Sequence, residues 1–196
     1  YWLIDLSTKE IHQIGKALPA QSLKFAKLSP DAQNVAFVSD NNLYVENITT
    51  GRLKQLTFDG TRKLINGTFD WVYEEEFNCR DGFRWSPDGA AIAYWQVDAT
   101  QIRDYYMLNT TDSVYSRVIP VEYPKVGEDP SPARIGVVNI NTGNNVWMNL
   151  QGNPRQQYIV RMEWADAKRI AVQQLDRRQL ETNLSYCDVA TGQSHV

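Results

Sequence analysis

One turn recurs along the chain, and it constrains the fold more than any other feature. Leu28-Ser29-Pro30-Asp31 precedes an apolar run from Asn34 to Val38. Phe83-Arg84-Trp85-Ser86-Pro87-Asp88-Gly89 precedes a second run from Ala91 to Val97. A weaker copy, Met162-Glu163-Trp164-Ala165-Asp166, precedes Arg169 to Leu175. Pro fixes φ at the first turn position, Asp bonds its own backbone, and Gly accepts positive φ. A second signal follows each copy: Ile48-Thr49-Thr50-Gly51, Ile140-Asn141-Thr142-Gly143 and Val189-Ala190-Thr191-Gly192. The unit reads as strand, Ser-Pro-Asp turn, strand, strand, Thr-Gly turn, strand. Four-stranded units of this kind cannot bury their faces alone and stack around an axis as propeller blades.

The fold class expected is all-β: a partial β-propeller of about three to four antiparallel four-stranded blades, with one short helix. Further strands fit the scheme. Tyr1–Leu6 and Glu10–Ile14 read as a hairpin, followed by strands at Lys24–Leu28, Leu43–Glu46 and Leu53–Thr57. The segment Gln101–Pro132 breaks the rhythm. Ile102–Leu108 reads as a strand, Thr110–Ser116 as a loop, and Val118–Lys125 as an extended run whose prolines suit an edge. Ile135–Ile140 then resumes the sheet. The units are longer than the roughly 40–45 residues of a bare blade, so they carry insertions. The alternative is a β-sandwich with coincidental turns. About three and a half blades are too few to close a ring. The chain also opens in a strand and lacks an initiator Met, so residues 1–196 are expected to be a piece of a longer protein.

Composition excludes several function classes. Hydrophobic content of 42% and aromatic content of 11% support a packed core. A net charge of −3 without a basic block makes nucleic acid and anionic membranes poor partners. No apolar run is long enough for a transmembrane helix. Cys79 and Cys187 are either two separate thiols or a pair, a choice their number leaves open. Four Asn-X-Ser/Thr sequons, at Asn47, Asn66, Asn109 and Asn183, matter only in a secreted eukaryotic protein. Of the two histidines, His12 sits in an expected strand and His195 is the penultimate residue; Ser29 and Ser86 lie in structural turns, Cys79 has no nearby His, and no Gly-x-Ser-x-Gly elbow occurs. There is no His/Cys metal cluster and no Gly-rich phosphate loop, so no cofactor is called for. The chain alone is expected to be inactive.

The remaining candidate is Asp70-Trp71-Val72-Tyr73-Glu74-Glu75-Glu76-Phe77, read as an insertion between two blades. Asp70 can cap a short helix, and the glutamates then follow near its positive end. Trp71, Val72 and Phe77 are expected to pin it to the sheet; Asp70, Trp71 and Tyr73 support the motif. Glu75 and Glu76 point about 100° apart yet can converge on a small cation such as an ammonium. A solvated acidic loop is the alternative, weakened by the flanking aromatics.

This octapeptide resembles the signature of dipeptidyl peptidase IV-like serine peptidases. The resemblance extends to Phe83–Gly89, Ile92-Ala93-Tyr94-Trp95, Val121–Gly127 and Gly136-Val137-Val138-Asn139. It implies an intact protein with an N-terminal eight-bladed propeller and a C-terminal α/β-hydrolase domain. Such an enzyme removes X-Pro or X-Ala dipeptides from free N-termini, works as a homodimer and suits a periplasmic or secreted setting. By the same resemblance, Glu75 and Glu76 bind the substrate's α-ammonium, Glu74 does not touch substrate, and the Ser-Asp-His triad lies outside this chain. The competing expectation is a non-catalytic propeller binding module of a periplasmic repeat protein.

Overall fold

The repeated turns close with the chemistry their residues supply. In the computed structural model, which describes residues 1–196, Ser29 Oγ donates to Asp31 Oδ1 at 2.6 Å and accepts the Asn34 N–H at 3.0 Å. Ser86, Asp88 and Ala91 repeat this at 2.6 and 2.9 Å. Both serines are buried structural parts of the turn. At the blade ends, Asn47 Oδ1 accepts the N–H and hydroxyl of Thr50, as Asn139 does for Thr142 and Asp188 for Thr191. Gly51, Gly143 and Gly192 follow at φ 66°, 79° and 76°, the left-handed region that favours glycine.

The elements run as follows. β1 (Trp2–Ile4) and β2 (Ile11–Gln13) form a two-stranded ribbon. β3 (Leu23–Leu28), β4 (Asn34–Ser39), β5 (Asn42–Asn47) and β6 (Leu53–Gln55) make the first antiparallel four-stranded blade. The second blade contains β7 (Leu64–Asn66), α1 (Trp71–Phe77), β8 (Phe83–Trp85) and β9 (Ala91–Asp98). A ribbon of β10 (Asp104–Asn109) and β11 (Arg117–Glu122) then leaves the blade, before β12 (Ala133–Asn139) and β13 (Asn145–Trp147) complete it. β14 (Gln157–Asp166), β15 (Arg169–Asp176), β16 (Thr182–Asp188) and β17 (Ser194–His195) form the third blade. The chain is thus three blades and two ribbons of a propeller. Pro120 sits in β11, whose single partner is β10, an edge position that tolerates its missing N–H.

The second blade corrects one expectation. β7 and β8 both pair with β9, β7 at Leu64↔Asp98 to Asn66↔Gln96 and β8 at Phe83↔Tyr94 to Trp85↔Ile92. They are two halves of one strand laid end to end. Between them, the Gly67 N–H reaches Trp95 O at 2.9 Å, the Trp95 N–H reaches Gly82 O at 3.0 Å, and the Gly82 N–H reaches Gly67 O at 2.9 Å. The acidic motif is therefore an excursion from inside the second blade, not an insertion between two blades. Only glycines allow the pinch: a Cβ on Gly82 would lie 2.8 Å from Gly67 C and 2.9 Å from Thr68 N.

Neighbouring blades are indexed by a repeated bond. Trp85 Nε1 donates to Lys27 O at 3.1 Å, and Trp164 Nε1 donates to Arg84 O at 3.1 Å. Each indole reads the backbone of the preceding blade. Apolar side chains fill the two seams. Val38, Leu43, Phe83 and Ile92 pack between the first and second blades; Trp95, Ile135, Ile159 and Met162 pack between the second and third. Cys79 and Cys187 are free, buried thiols. Burial pushes Cys187 up to about 11 and raises Cys79, against the opposing charge of Arg161. Among the four sequons, Asn66 is fully buried and closed to a glycan.

Candidate functional site

α1 has seven residues, too few for a helix to persist unaided, so its placement depends on caps and anchors. Asp70 is the N-cap, its Oδ1 accepting the Tyr73 N–H at 3.2 Å. Asn78 ends the helix in the left-handed region, and the Cys79 N–H returns to Tyr73 O at 3.1 Å. Tyr73 is fully buried, and its hydroxyl accepts the Ile159 N–H of the third blade at 3.1 Å. β14 breaks register between Ile159 and Arg161, which frees that N–H from the ladder. Phe69 and Tyr158 pack on the Tyr73 ring, at 5.5 and 6.0 Å. Burial drives the Tyr73 phenol far above its usual range, so it stays neutral.

The deepest anchor is thus Tyr73, named in the sequence only as a support of the motif, and of the three residues expected to pin the helix Trp71 stays outside the core. Trp71 is 41% exposed and lies edge-on to Tyr123 at 5.6 Å. The reason is geometric: position 73 faces the seam, and position 71 faces the segment that descends from the β10–β11 ribbon. Val72 and Phe77 do pack at the margin of the core, as expected. Asp70 makes a second bond that sequence reasoning missed. Its Oδ2 accepts the Ser131 hydroxyl at 2.6 Å, with both residues buried. Burial raises the Asp70 carboxyl, while the Ser131 hydroxyl and the Tyr73 N–H pull it down.

The three glutamates separate by environment. Glu74 is half-buried, with Arg80 Nη1 3.7 Å from its carboxylate. Burial raises its carboxyl and Arg80 opposes the shift. Glu75 and Glu76 are exposed, and neither forms an ion pair with a Lys or Arg of the chain. Both border a cleft of about 540 Å³ between α1, the segment Tyr123–Pro130 and Arg177, with Tyr158 among its walls. Both also border a second depression of about 400 Å³ against Val160, Arg161 and Gln173. Two neighbouring carboxylates without a cationic partner, on a helix anchored at both ends, can accept several N–H donors from a bound cation.

Asp129 fixes the far side of the cleft, accepting from Gln156 Nε2 at 3.0 Å and Arg155 Nε at 3.5 Å, with Arg177 Nη1 in an ion pair at 3.4 Å. The Tyr123-Pro124-Lys125 run stood out in the sequence, but its place opposite the glutamates did not. Another depression, of about 440 Å³, lies on the outer strands by Asn34, Lys54 and Asn141. Its Lys54 is already committed to the carbonyls of Ile140 and Asn141, at 2.7 and 2.6 Å. No three His, Cys, Asp or Glu side chains converge as metal ligands. No helix is long and apolar enough to cross a membrane.

Comparison with known proteins agrees with this architecture. The family described as "Dipeptidyl peptidase IV (DPP IV) N-terminal region" matches residues 1–196. The dipeptidyl aminopeptidase B of Saccharomyces cerevisiae is 28% identical over 184 residues, covering 90% of this chain and 22% of that protein. The probable dipeptidyl-aminopeptidase B of Arthroderma gypseum is 35% identical over 144 residues, covering 67% of this chain and 16% of that protein. Among solved structures, Porphyromonas gingivalis dipeptidyl peptidase 4 superposes with a TM-score of 0.88 at 28% identity, over 96% of this chain and 27% of that one. This chain therefore spans no more than about a quarter of the relatives it matches. By the match of its full length, the chain belongs to the dipeptidyl peptidase IV N-terminal region family.

Proposed function

We propose that this chain is the N-terminus-recognising and substrate-gating part of a dipeptidyl peptidase IV-like serine exopeptidase. In this reading, Glu75 and Glu76 clamp the α-ammonium of a peptide. A hydrolase domain elsewhere in the longer protein then cleaves after the second residue, with Pro or Ala preferred there. The observation that carries the reading is the pair of exposed carboxylates, unpaired within the chain and mounted on an anchored helix beside a peptide-sized cleft. A fixed ammonium site measures distance to a distant nucleophile. A blocked N-terminus loses its anchor and strands two carboxylates.

The test is Glu75→Ala and Glu76→Ala in the full-length protein. A charge-assisted hydrogen bond contributes on the order of 1.5–3 kcal/mol, so kcat/KM on dipeptidyl substrates should fall by about 10- to 100-fold in each, with the fold retained. Near-normal kcat/KM in both variants would sink the assignment. The 196 residues alone should show no peptidase activity.

A second reading, a propeller surface that binds a protein partner, has one observation in its favour. The β10–β11 ribbon leaves Tyr106 68% and Tyr115 87% exposed, with Leu108 and Val118 also bare. The two readings are compatible if the partner is a second copy, as in a homodimer. Sedimentation of the full-length protein as a monomer at micromolar concentration would count against the dimer.

A further inference from the structure

The hydrogen bond between Ser131 and Asp70 joins residues far apart in the chain, and it is built on rigid support. Ser131 stands between Pro130 and Pro132. Proline fixes its own φ and disfavours helical backbone in the residue before it, so this short run has few conformations. Pro132 is itself tied to the blade, its carbonyl accepting the Asp98 N–H at 2.9 Å. The Ser131 hydroxyl is therefore a donor held at a fixed point, 1% exposed, and aimed at a carboxylate that is 5% exposed.

Asp70 divides its two oxygens between two tasks. Oδ1 caps α1 and Oδ2 takes the Ser131 hydroxyl. The first turn of the helix is thus fastened to the entry of β12, and Tyr73 is fastened to Ile159 in β14. Tyr73, Phe77 and Cys79 hold the C-terminal part of the helix to the core, whereas the Ser131 bond is the side-chain tie that fixes its N-cap to another part of the blade, so without it the helix axis is free to tilt at its first turn. Glu75 and Glu76 lie on the opposite side of Tyr73 from Asp70, so a shift at the cap displaces both carboxylates together. The helix rises about 1.5 Å per residue, which puts the glutamates only about 3–5 Å beyond Tyr73 along the axis, within the same rigid turn.

We propose that Ser131 is a positioning residue for the ammonium clamp, acting through Asp70 to set where Glu75 and Glu76 present their carboxylates. This rests on the reading of Glu75 and Glu76 as the ammonium site. Ser131 touches no substrate. Its contribution is to keep two carboxylates at one distance from the rest of the active site.

The experiment compares two substrates in the full-length protein: a dipeptidyl substrate with a free amine and its desamino analogue, which lacks the nitrogen. The quantity read is the ratio of their kcat/KM values. Ser131→Ala should lower this ratio by about three- to tenfold, the worth of one modest hydrogen bond. The loss should fall on KM more than on kcat, because the ammonium contact is made in ground and transition states alike. A ratio equal to that of the parent, with only the melting temperature lowered, would overturn the proposal and leave Ser131 a structural residue. Glu75→Gln and Glu76→Gln serve as the reference. If they too leave the ratio unchanged, the ammonium reading itself has failed, and the proposal falls with it. Should Ser131→Ala not fold, Ser131→Cys, near in size with a weak donor, makes the same comparison and should lower the ratio in the same direction.

Discussion

The Tyr73 hydroxyl takes the Ile159 N–H at 3.1 Å, and Trp95 Nε1 donates to the carbonyl of that same Ile159 at 2.9 Å. Both side chains come from the second blade, and Ile159 belongs to the third. A single residue at an irregular point of β14 is thereby held from both its backbone groups. α1 is consequently part of the seam between blades. The glutamates it carries ride on one of the most buried positions of the molecule.

Removing that hydroxyl should be felt in stability. In Tyr73→Phe the ring still fills its space, but the Ile159 N–H is left buried without a partner. The expected cost is about 1–3 kcal/mol. It would be read as a lower urea midpoint at unchanged m-value. An unchanged midpoint would mean that the irregularity in β14 does not need Tyr73.

The glycine pinch gives a contrast between two positions. Alanine at Gly82 would press its Cβ on the backbone of Gly67 and Thr68, at 2.8 and 2.9 Å. Alanine at Gly51 meets nothing within 4 Å and bears only the left-handed φ of 66°. Gly82→Ala is expected to destabilise by about 1–3 kcal/mol through forced backbone movement, and to lower activity on free-amine substrates. Gly51→Ala is expected to cost about 1–2 kcal/mol with activity retained. Thermal melts paired with kcat/KM decide it; equal activity losses in the two would contradict the pinch.

Acid should weaken the turns that build the blades. The Ser86 hydroxyl, and then the Ala90 N–H, hold the Asp88 carboxyl below its ordinary value, and Ser29 with Gln33 do the same for Asp31. A lowered folded pKa gives stability that is present above the unfolded value of 3.8 and is lost as pH falls through the folded one. Asp70 has the opposite sign: burial raises it, so its contribution is lost as pH rises above 3.8. Asp88→Asn, which cannot titrate, should flatten the fall of melting temperature below pH 4. Parallel curves for parent and variant between pH 4 and 2.5 would show that this turn does not contribute to the acid response.

The blades were legible because their turns are local. Ser29 to Asp31 and Ser86 to Asp88 are chemistry within a few residues, and the structure uses them as the sequence implies. The Asp70 cap is equally local. Tyr73 was harder. Only the third blade, some eighty residues on, decides which aromatic of α1 faces the seam. Ser131 was invisible for the same reason: its partner is 61 residues away, and a serine between two prolines reads as a connection. β7 was missed because three residues carry too little periodicity, and nothing short-range says that Leu64–Asn66 and Phe83–Trp85 are one strand.

That split strand has a consequence for how such a site can change over generations. Because Gly67 and Gly82 return to the same place on the ladder of β9, the sheet cannot sense how many residues lie between them. Residues can be gained or lost inside the excursion without shifting the register of a single blade strand. What the excursion must keep is its contribution to the seam, Phe69, Tyr73 and Cys79 above all. Natural variation in length should therefore gather between those fixed points. The carboxylates are free to be retuned on a scaffold that does not need to refold around them.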